Sequence, residues 1–246
     1  MSRRRVLRSA AVAGIAAATL LCADAKPLLA AKKSLKRGSV VLFQGDSITD
    51  CGRNRERVGP NDPSAFGHGY PYLVASQLLA ERPSHRFKMY NRGISGHRVP
   101  DLDARWQKDT VDLKPDLVSI LIGVNDIWHM LNGDYKGTRK DYETGYAALL
   151  ERTRKSLPFA RIVVCEPFVL RCGAVDNKWF PPSSTNVAKP RSVLPMRPLR
   201  PGSGFSRCSM PRRRLLPRSY WAQDGVHPTM AGHAFLAKAW LETVKP

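Results

Sequence analysis

The stretch VVLFQGDSITDCGR, residues 40–53, decides the fold and raises the first question about function. Residues 40–43 are a β-branched and aromatic run, which is typical of a buried strand. Gly45, Asp46 and Ser47 then break the run. A serine at the C-terminal tip of a parallel strand lies where open α/β sheets carry their chemistry. On this stretch alone, capping of the next helix is the simpler interpretation.

Strand and helix patterns alternate along the rest of the chain. Short apolar runs predict three more strands, at 87–91, 117–122 and 162–165. The run at 117–122 is continuously apolar, as in a strand that is buried on both faces. Apolar residues at helical spacing predict helices around 72–79, 142–153 and 229–244. The alternation predicts an α/β domain with a parallel sheet and helices on both of its faces.

The formal net charge of +20 suggests a nucleic-acid-binding protein, but its distribution argues against one. Residues 1–37 carry +8 and residues 182–218 carry +9, which leaves only +3 on the rest of the chain. The body of the protein is therefore nearly neutral, and we predict no nucleic-acid partner.

The basic N-terminus has the pattern of a secretory signal peptide. Three arginines at 3–5 precede an apolar stretch at 10–21 and an Ala-Asp-Ala cleavage-type triplet that ends at Ala25. The arginines also resemble a twin-arginine signal. We predict a signal peptide at 1–25, a linker at 26–38 and the globular domain at 39–246. An uncleaved anchor and lipidation at Cys22 are the alternatives, but we predict export without stable membrane insertion after cleavage.

The segment 182–218 does not fit an ordinary domain. It contains nine Lys or Arg, seven Pro and six Ser, and it lacks Asp and Glu. A doubly wound domain should have its fourth crossover helix and fifth strand there, and a structureless run of this length is uncommon within a compact domain. One hypothesis is a frameshifted segment; the alternative is a genuine disordered basic insertion.

Polar residues follow the predicted strands and can meet at one edge of the sheet. Ser47 follows the first strand, Gly93 the second and Asn125 the third, while Asp224 and His227 come late in the chain. A serine hydroxyl needs a base to become a nucleophile, and an imidazole held by a carboxylate is such a base. The Ser47 and Gly93 amides and the Asn125 side chain are candidate donors to the oxyanion that forms when an ester is attacked.

Taken together, these blocks resemble the SGNH subgroup of the GDSL esterase/lipase family. The family's Ser, Gly, Asn and His blocks are present in order as GDSITD, NRGISG, GVND and DGVH. The resemblance implies a flavodoxin-like three-layer α/β/α fold with a central parallel sheet, and a serine esterase that needs no cofactor and no metal. It covers about residues 39–181 and 219–245, so the odd segment leaves the position of His227 in question.

The resemblance further implies an exported enzyme that acts on short acyl esters of carbohydrates, either small molecules or polysaccharides. The alternatives are a lysophospholipase or thioesterase for longer acyl chains, and an inactive product of a frameshifted gene. The oligomeric state is not predicted.

Several other residues are weaker candidates for the site. We predict Asp46, His97 and Trp128 as substrate-binding residues, and Trp179 as a further residue of the pocket wall. Asp126 is interpreted as a structural carboxylate and His233 as a packing residue of the last helix. Cys51 lies near Ser47 but has no evident base in the sequence, and a pairing of Cys165 with Cys172 stays open.

Overall fold

A parallel five-stranded sheet forms the centre of the protein. The computed structural model describes residues 34–180, 206–208 and 216–246, and all structural statements below concern these residues. The strands are Val40–Gly45 (β1), Lys88–Asn91 (β2), Leu117–Leu121 (β3), Arg161–Cys165 (β4) and Ser206–Cys208 (β5). Their order in the sheet is β2-β1-β3-β4-β5, and all four pairings are parallel.

Seven α-helices accompany these strands in the described part of the chain. They are Ser47–Asp50 (α1), Pro63–Phe66 (α2), Tyr70–Glu81 (α3), Val99–Ala104 (α4), Val124–Asn132 (α5), Arg139–Ser156 (α6) and Met230–Val244 (α7). The last helix begins after Pro228, and its N-cap Thr229 accepts a hydrogen bond from the backbone of Gly232. This start agrees with the sequence prediction.

Alternate residues of the central strands pack on opposite layers of helices. Phe43 of β1 contacts Tyr70 of α3 and Trp240 of α7, with ring centroids 5.9 and 5.3 Å apart. Its neighbour Leu42 packs in a separate cluster with α4 and α6. Trp240 also donates a hydrogen bond of 2.9 Å to the buried hydroxyl of Ser119 in β3. The two clusters confirm the three-layer α/β/α sandwich that the sequence predicts.

The segment 182–218 contributes the edge strand β5, which pairs with β4 in parallel register. A strand was expected at this point of a doubly wound domain. Most of the segment lies outside the described residues, as do the predicted signal peptide and most of the predicted linker. The end of that linker packs on the domain, because Leu35 is buried.

Candidate active site

Ser47 lies at the junction between β1 and the short helix α1. The side chain of Asp46 caps this helix by accepting a hydrogen bond of 3.0 Å from the backbone of Ile48. A glycine is required at position 45, just before Asp46, because a Cβ there would lie 2.3 Å from the carbonyl oxygen of Leu121. The tight junction leaves the Ser47 side chain partly exposed at the carboxyl edge of the sheet.

His227 and Asp224 are held against Ser47 by one compact turn. The Oδ1 atom of Asp224 accepts hydrogen bonds from the backbone of Val226 (2.9 Å) and His227 (2.7 Å). Gly225 within the turn has a φ of +88°, and a Cβ there would lie 2.4 Å from the carbonyl oxygen of Cys172. The turn is therefore built by the Asp-Gly-Val-His sequence itself and rests on the loop after β4.

These three side chains form a continuous hydrogen-bonded chain. The Oγ atom of Ser47 is 2.9 Å from Nε2 of His227, and Nδ1 of His227 is 2.6 Å from Oδ2 of Asp224. Partial burial alone would raise the pKa of Asp224, but the hydrogen bonds from His227 bring that pKa below its ordinary value. An ionised Asp224 accepts a hydrogen bond from the Nδ1–H group of His227, so the unprotonated Nε2 can accept the proton of the serine hydroxyl.

Asn125 is the second residue of α5, which begins shortly after β3, and it is nearly buried. Its Nδ2 atom donates a hydrogen bond of 3.0 Å to the carbonyl oxygen of His97. A primary amide carries two N–H groups, so this bond orients the group while leaving its second N–H for a ligand. The preceding Gly123, at a φ of +127°, makes the sharp turn from strand to helix.

The structure does not support the prediction that the Gly93 amide is an oxyanion donor. This buried N–H donates a hydrogen bond of 2.9 Å to the side chain of Asn91. A Cβ at Gly93 would lie 2.4 Å from the backbone nitrogen of Asp50, so close packing against α1 explains the glycine. The sequence indicated the correct loop but not the correct glycine.

Gly96, three residues later, has the properties that Gly93 lacks. It has a φ of +83°, is exposed, and has open space where a Cβ would be. Among the described residues, no acceptor is bonded to its N–H. Its neighbour Ser95 is bonded to Asp50 of α1, and the carbonyl of His97 is bonded to Asn125. The sequence analysis did not single out Gly96, although it is the second glycine of the NRGISG block.

The prediction that Asp46 binds substrate is wrong, because its side chain is completely buried. Burial, with a further contribution from the charge of Asp126, raises its pKa to about 7. Asp126 is a structural carboxylate, as predicted: it accepts hydrogen bonds from the backbone of Val99, and burial raises its pKa to about 7 as well.

We expect Asp46→Asn to stabilise the protein in a pH-dependent manner. The pKa of Asp46 is about 7 in the folded protein against an ordinary value of 3.8, so the neutral carboxyl is favoured by folding. Its contribution is complete below pH ~4 and is lost as the pH rises through about 7. An asparagine keeps the cap and cannot ionise. Thermal unfolding should show an advantage that grows from pH ~4 to ~7 and reaches up to about 4 kcal/mol.

The half-exposed carboxylate of Asp103, which is paired with Arg152 at the surface, offers the control for this experiment. Asp103→Asn should change stability by less than about 1 kcal/mol, without the same rise between pH ~4 and ~7. An Asp46→Asn protein whose stability runs parallel to the wild type at every pH would show that Asp46 is ionised in the folded state.

Aromatic side chains flank His227 on one side. The ring of Trp128 lies 6.0 Å from that of His227 and 5.5 Å from that of Trp179, measured between centroids. This places the half-buried Trp128 beside the hydrogen-bonded chain, whereas the buried Trp179 contacts Trp128 and not the chain itself. The imidazole of His97, in contrast, is bonded away from the Ser47-His227 pair, because its Nδ1 atom accepts a hydrogen bond from Arg105. Its backbone carbonyl group is the part that contacts Asn125.

Cys51 has a histidine neighbour that the sequence did not reveal. Nε2 of His233 is 3.3 Å from the sulfur of Cys51, and its Nδ1 atom accepts a hydrogen bond of 3.1 Å from the backbone of Tyr70. Burial lowers the pKa of His233 to about 4 and raises that of Cys51. Both groups are therefore neutral at pH 7, and the pair joins α7 to α3 and to the end of α1. Cys165 and Cys172 do not form a disulfide with each other.

The described residues contain no group of three or more His, Cys, Asp or Glu side chains that could hold a metal ion. Within the same part of the chain, each helix is too short or too polar to cross a membrane.

Comparison with known proteins places this geometry in a wider group. Residues 43–235 match the family model described as the GDSL-like lipase/acylhydrolase family. An acetylxylan esterase from Geobacillus stearothermophilus is 34% identical over 212 residues, which are 84% of this chain and 94% of that protein.

Solved structures show the same similarity. A GDSL-like lipase from Parabacteroides merdae matches with a TM-score of 0.73 at 39% identity, over 86% of this chain and 98% of that one. The acetylxylan esterase from G. stearothermophilus matches with a TM-score of 0.68 at 30% identity, over 86% and 96% of the two chains. Solved forms of that esterase include catalytic mutants in which a serine or a histidine is replaced by alanine.

Proposed function

The chain belongs to the GDSL-like lipase/acylhydrolase family, and on this premise we propose that it removes acetyl groups from carbohydrate esters. The family and the acetylxylan esterase relative make it a carboxylic ester hydrolase. The observation that carries the proposed mechanism is the chain of hydrogen bonds from Ser47 through His227 to Asp224.

In this mechanism Ser47 is the nucleophile and His227 is the base. The Oγ atom attacks the ester carbonyl carbon as its proton passes to Nε2 of His227. The bond to the sugar oxygen then breaks, and His227 returns the proton to that oxygen. Water, deprotonated by His227, hydrolyses the acetyl-serine and releases acetate. Asp224 holds the imidazole in the required tautomer and stabilises its charged form.

We propose that three donors bind the oxyanion: the backbone N–H groups of Ser47 and Gly96 and the side-chain amide of Asn125. Neither backbone N–H is bonded to an acceptor among the described residues. Both neighbours of Gly96 support this assignment, because Ser95 is bonded to Asp50 in the helix of Ser47 and the carbonyl of His97 is bonded to Asn125. Donors fixed in this way before the reaction stabilise developing charge without reorganisation.

The proposal of a short acyl group and a sugar rests on the relatives and on the aromatic side chain of Trp128 beside His227. The curated relative is named an acetylxylan esterase. Trp128 presents a large amphipathic ring beside His227, where the part of the substrate next to the scissile bond would lie, and the buried Trp179 packs against Trp128.

A series of p-nitrophenyl esters from acetate to laurate, together with acetylated xylan, tests this function. We expect the highest kcat/KM for acetate, a steep fall beyond short chains, and release of acetate from xylan. A maximum at long acyl chains would instead support a lysophospholipase or thioesterase. Ser47→Ala is the background control for both assays.

The same assay bears on the segment 182–218. If the chain is active as written, the segment is a tolerated insertion that supplies β5. If activity appears only after the segment is replaced by a helix and strand typical of the family, this chain is an inactive product of a frameshifted gene.

We also propose that the enzyme is exported, because residues 1–25 have the pattern of a cleaved signal peptide. N-terminal sequencing of the secreted or periplasmic protein should give Lys26 as the first residue. A protein that stays in the cytoplasm with its N-terminus intact would contradict this.

A further inference from the structure

A polar cleft of about 570 Å³ lies next to the loop that carries Gly96. Its lining consists of Asp50, Gly52, Arg53, Asn54, Arg55, Glu56 and Ser95. Every side chain in this lining is charged or hydrogen-bonding. The volume falls within the range of small-molecule sites, but the composition differs from the mostly apolar walls that such sites usually have.

The cleft is attached directly to the proposed oxyanion hole. Oδ2 of Asp50 accepts hydrogen bonds from the backbone N–H (2.8 Å) and hydroxyl (2.9 Å) of Ser95 and is paired with Arg55. Asp50 ends the four-residue helix that begins with Ser47, and Ser95 precedes Gly96. Because Ser47 and Asp50 are about one helical turn apart, a substrate whose ester carbonyl lies in the oxyanion hole has this cleft next to it.

Three of the lining side chains retain hydrogen-bonding capacity. Arg53 uses only its Nε atom, in a bond of 2.7 Å to the carbonyl of Gly93, and no carboxylate among the described residues forms an ion pair with it. Asn54 uses only its Oδ1 atom, which accepts from the backbone of Glu56. The exposed Glu56 carboxylate has no ion pair or side-chain hydrogen bond to another described residue.

The charges of the lining indicate which ligand it suits. The lining contains two guanidinium groups and two carboxylates, so its net formal charge is zero. A fatty acyl chain would remove these groups from water without replacing their hydrogen bonds, which is costly. An anionic ligand would be repelled by the carboxylate of Glu56. Neutral hydroxyl groups both donate and accept, so they can satisfy Arg53, Asn54 and Glu56 together.

We propose that this cleft is a subsite for the hydroxyl groups of sugar units that neighbour the acetylated one. The inference rests on the proposed function and deepens it: the alcohol part of the ester is an oligosaccharide that extends from Ser47 along residues 52–56. Burial and the nearby guanidinium groups of Arg92 and Arg105 lower the pKa of Arg53, but only to about 10, so it remains a charged donor at neutral pH.

Calorimetric titration with xylotetraose tests the subsite without requiring turnover. We expect Glu56→Ala, which removes an acceptor, to weaken binding by about 3- to 10-fold. We expect a similar loss for Asn54→Asp, which keeps the turn-forming oxygen and removes the free donor. Glu151→Ala, on the exposed surface of α6, is the matched control and should bind like the wild type.

The outcomes separate this inference from the proposed function. Wild-type affinity in both cleft variants would overturn the subsite, and so would the absence of binding to the wild type at ~10 mM ligand. Either result could occur in an enzyme that hydrolyses p-nitrophenyl acetate normally, in which case the proposed esterase function stands. Conversely, xylotetraose binding that depends on Glu56 and Asn54 in a protein without esterase activity would support the subsite and contradict the function. Melting curves of each variant confirm that it is folded.

Discussion

Replacement of Ser47 by alanine is expected to lower kcat for p-nitrophenyl acetate by about 10⁶-fold, and the further replacement of His227 should add almost nothing. The Ser47 hydroxyl and the His227 imidazole lie 2.9 Å apart and act on the same proton. Once the nucleophile is absent, the base has no proton to accept, so the two losses cannot multiply. His227→Ala alone should therefore cost about as much as Ser47→Ala.

The measurement is a double-mutant cycle with Ser47→Ala, His227→Ala and the combined variant. Ser156→Ala, at the exposed end of α6, is the serine control and should keep wild-type kcat. Residual activity of a few per cent in Ser47→Ala would remove that serine as nucleophile. A combined variant far slower than either single variant would show that His227 acts in a step that does not involve Ser47.

The fold was largely predictable because its signals are local. The apolar runs of β1, β3 and β4 are bounded by polar residues, and the start of α7 after Pro228 follows from a proline that fits the first turn of a helix. Asp224, Val226 and His227 belong to one turn, so their geometry was also implicit in the sequence. The placement of Ser47 and Asn125 at one edge followed from parallel strands that end there, whereas the position of His227 after the odd segment was left in question.

The predictions that failed concern features that depend on packing between distant segments of the chain. Gly93 and Gly96 are both glycines of one loop. The Gly93 amide is bonded to the side chain of Asn91, which is itself held by bonds to the distant carbonyl groups of Thr49 and Phe66. Asp46 is completely buried near Asp126, which is 80 positions later in the chain, and spacing in the sequence does not reveal this proximity. The contact of Cys51 with His233 joins residues 182 positions apart, and no spacing rule reveals such a pair.

The oxyanion hole leads to the second large expected effect. We expect Asn125→Ala to lower kcat for p-nitrophenyl acetate by about 10²- to 10³-fold, equivalent to about 3–4 kcal/mol, with little change in KM. The ester carbonyl of the bound substrate carries little charge, whereas the tetrahedral intermediate carries a full one. A donor placed for the oxyanion therefore contributes to kcat far more than to binding.

A purely structural role for Asn125 would give a different result, because its amide also holds the carbonyl of His97. Loss of that bond alone would loosen the loop around Gly96, so kcat and KM would change together and the melting temperature would fall. Asn132→Ala, at the exposed end of the same helix, controls for the substitution itself and should leave both constants unchanged. A fall in kcat with constant KM and constant stability assigns the amide to the transition state, whereas an Asn125→Ala enzyme with wild-type kcat would leave the oxyanion to the two backbone N–H groups.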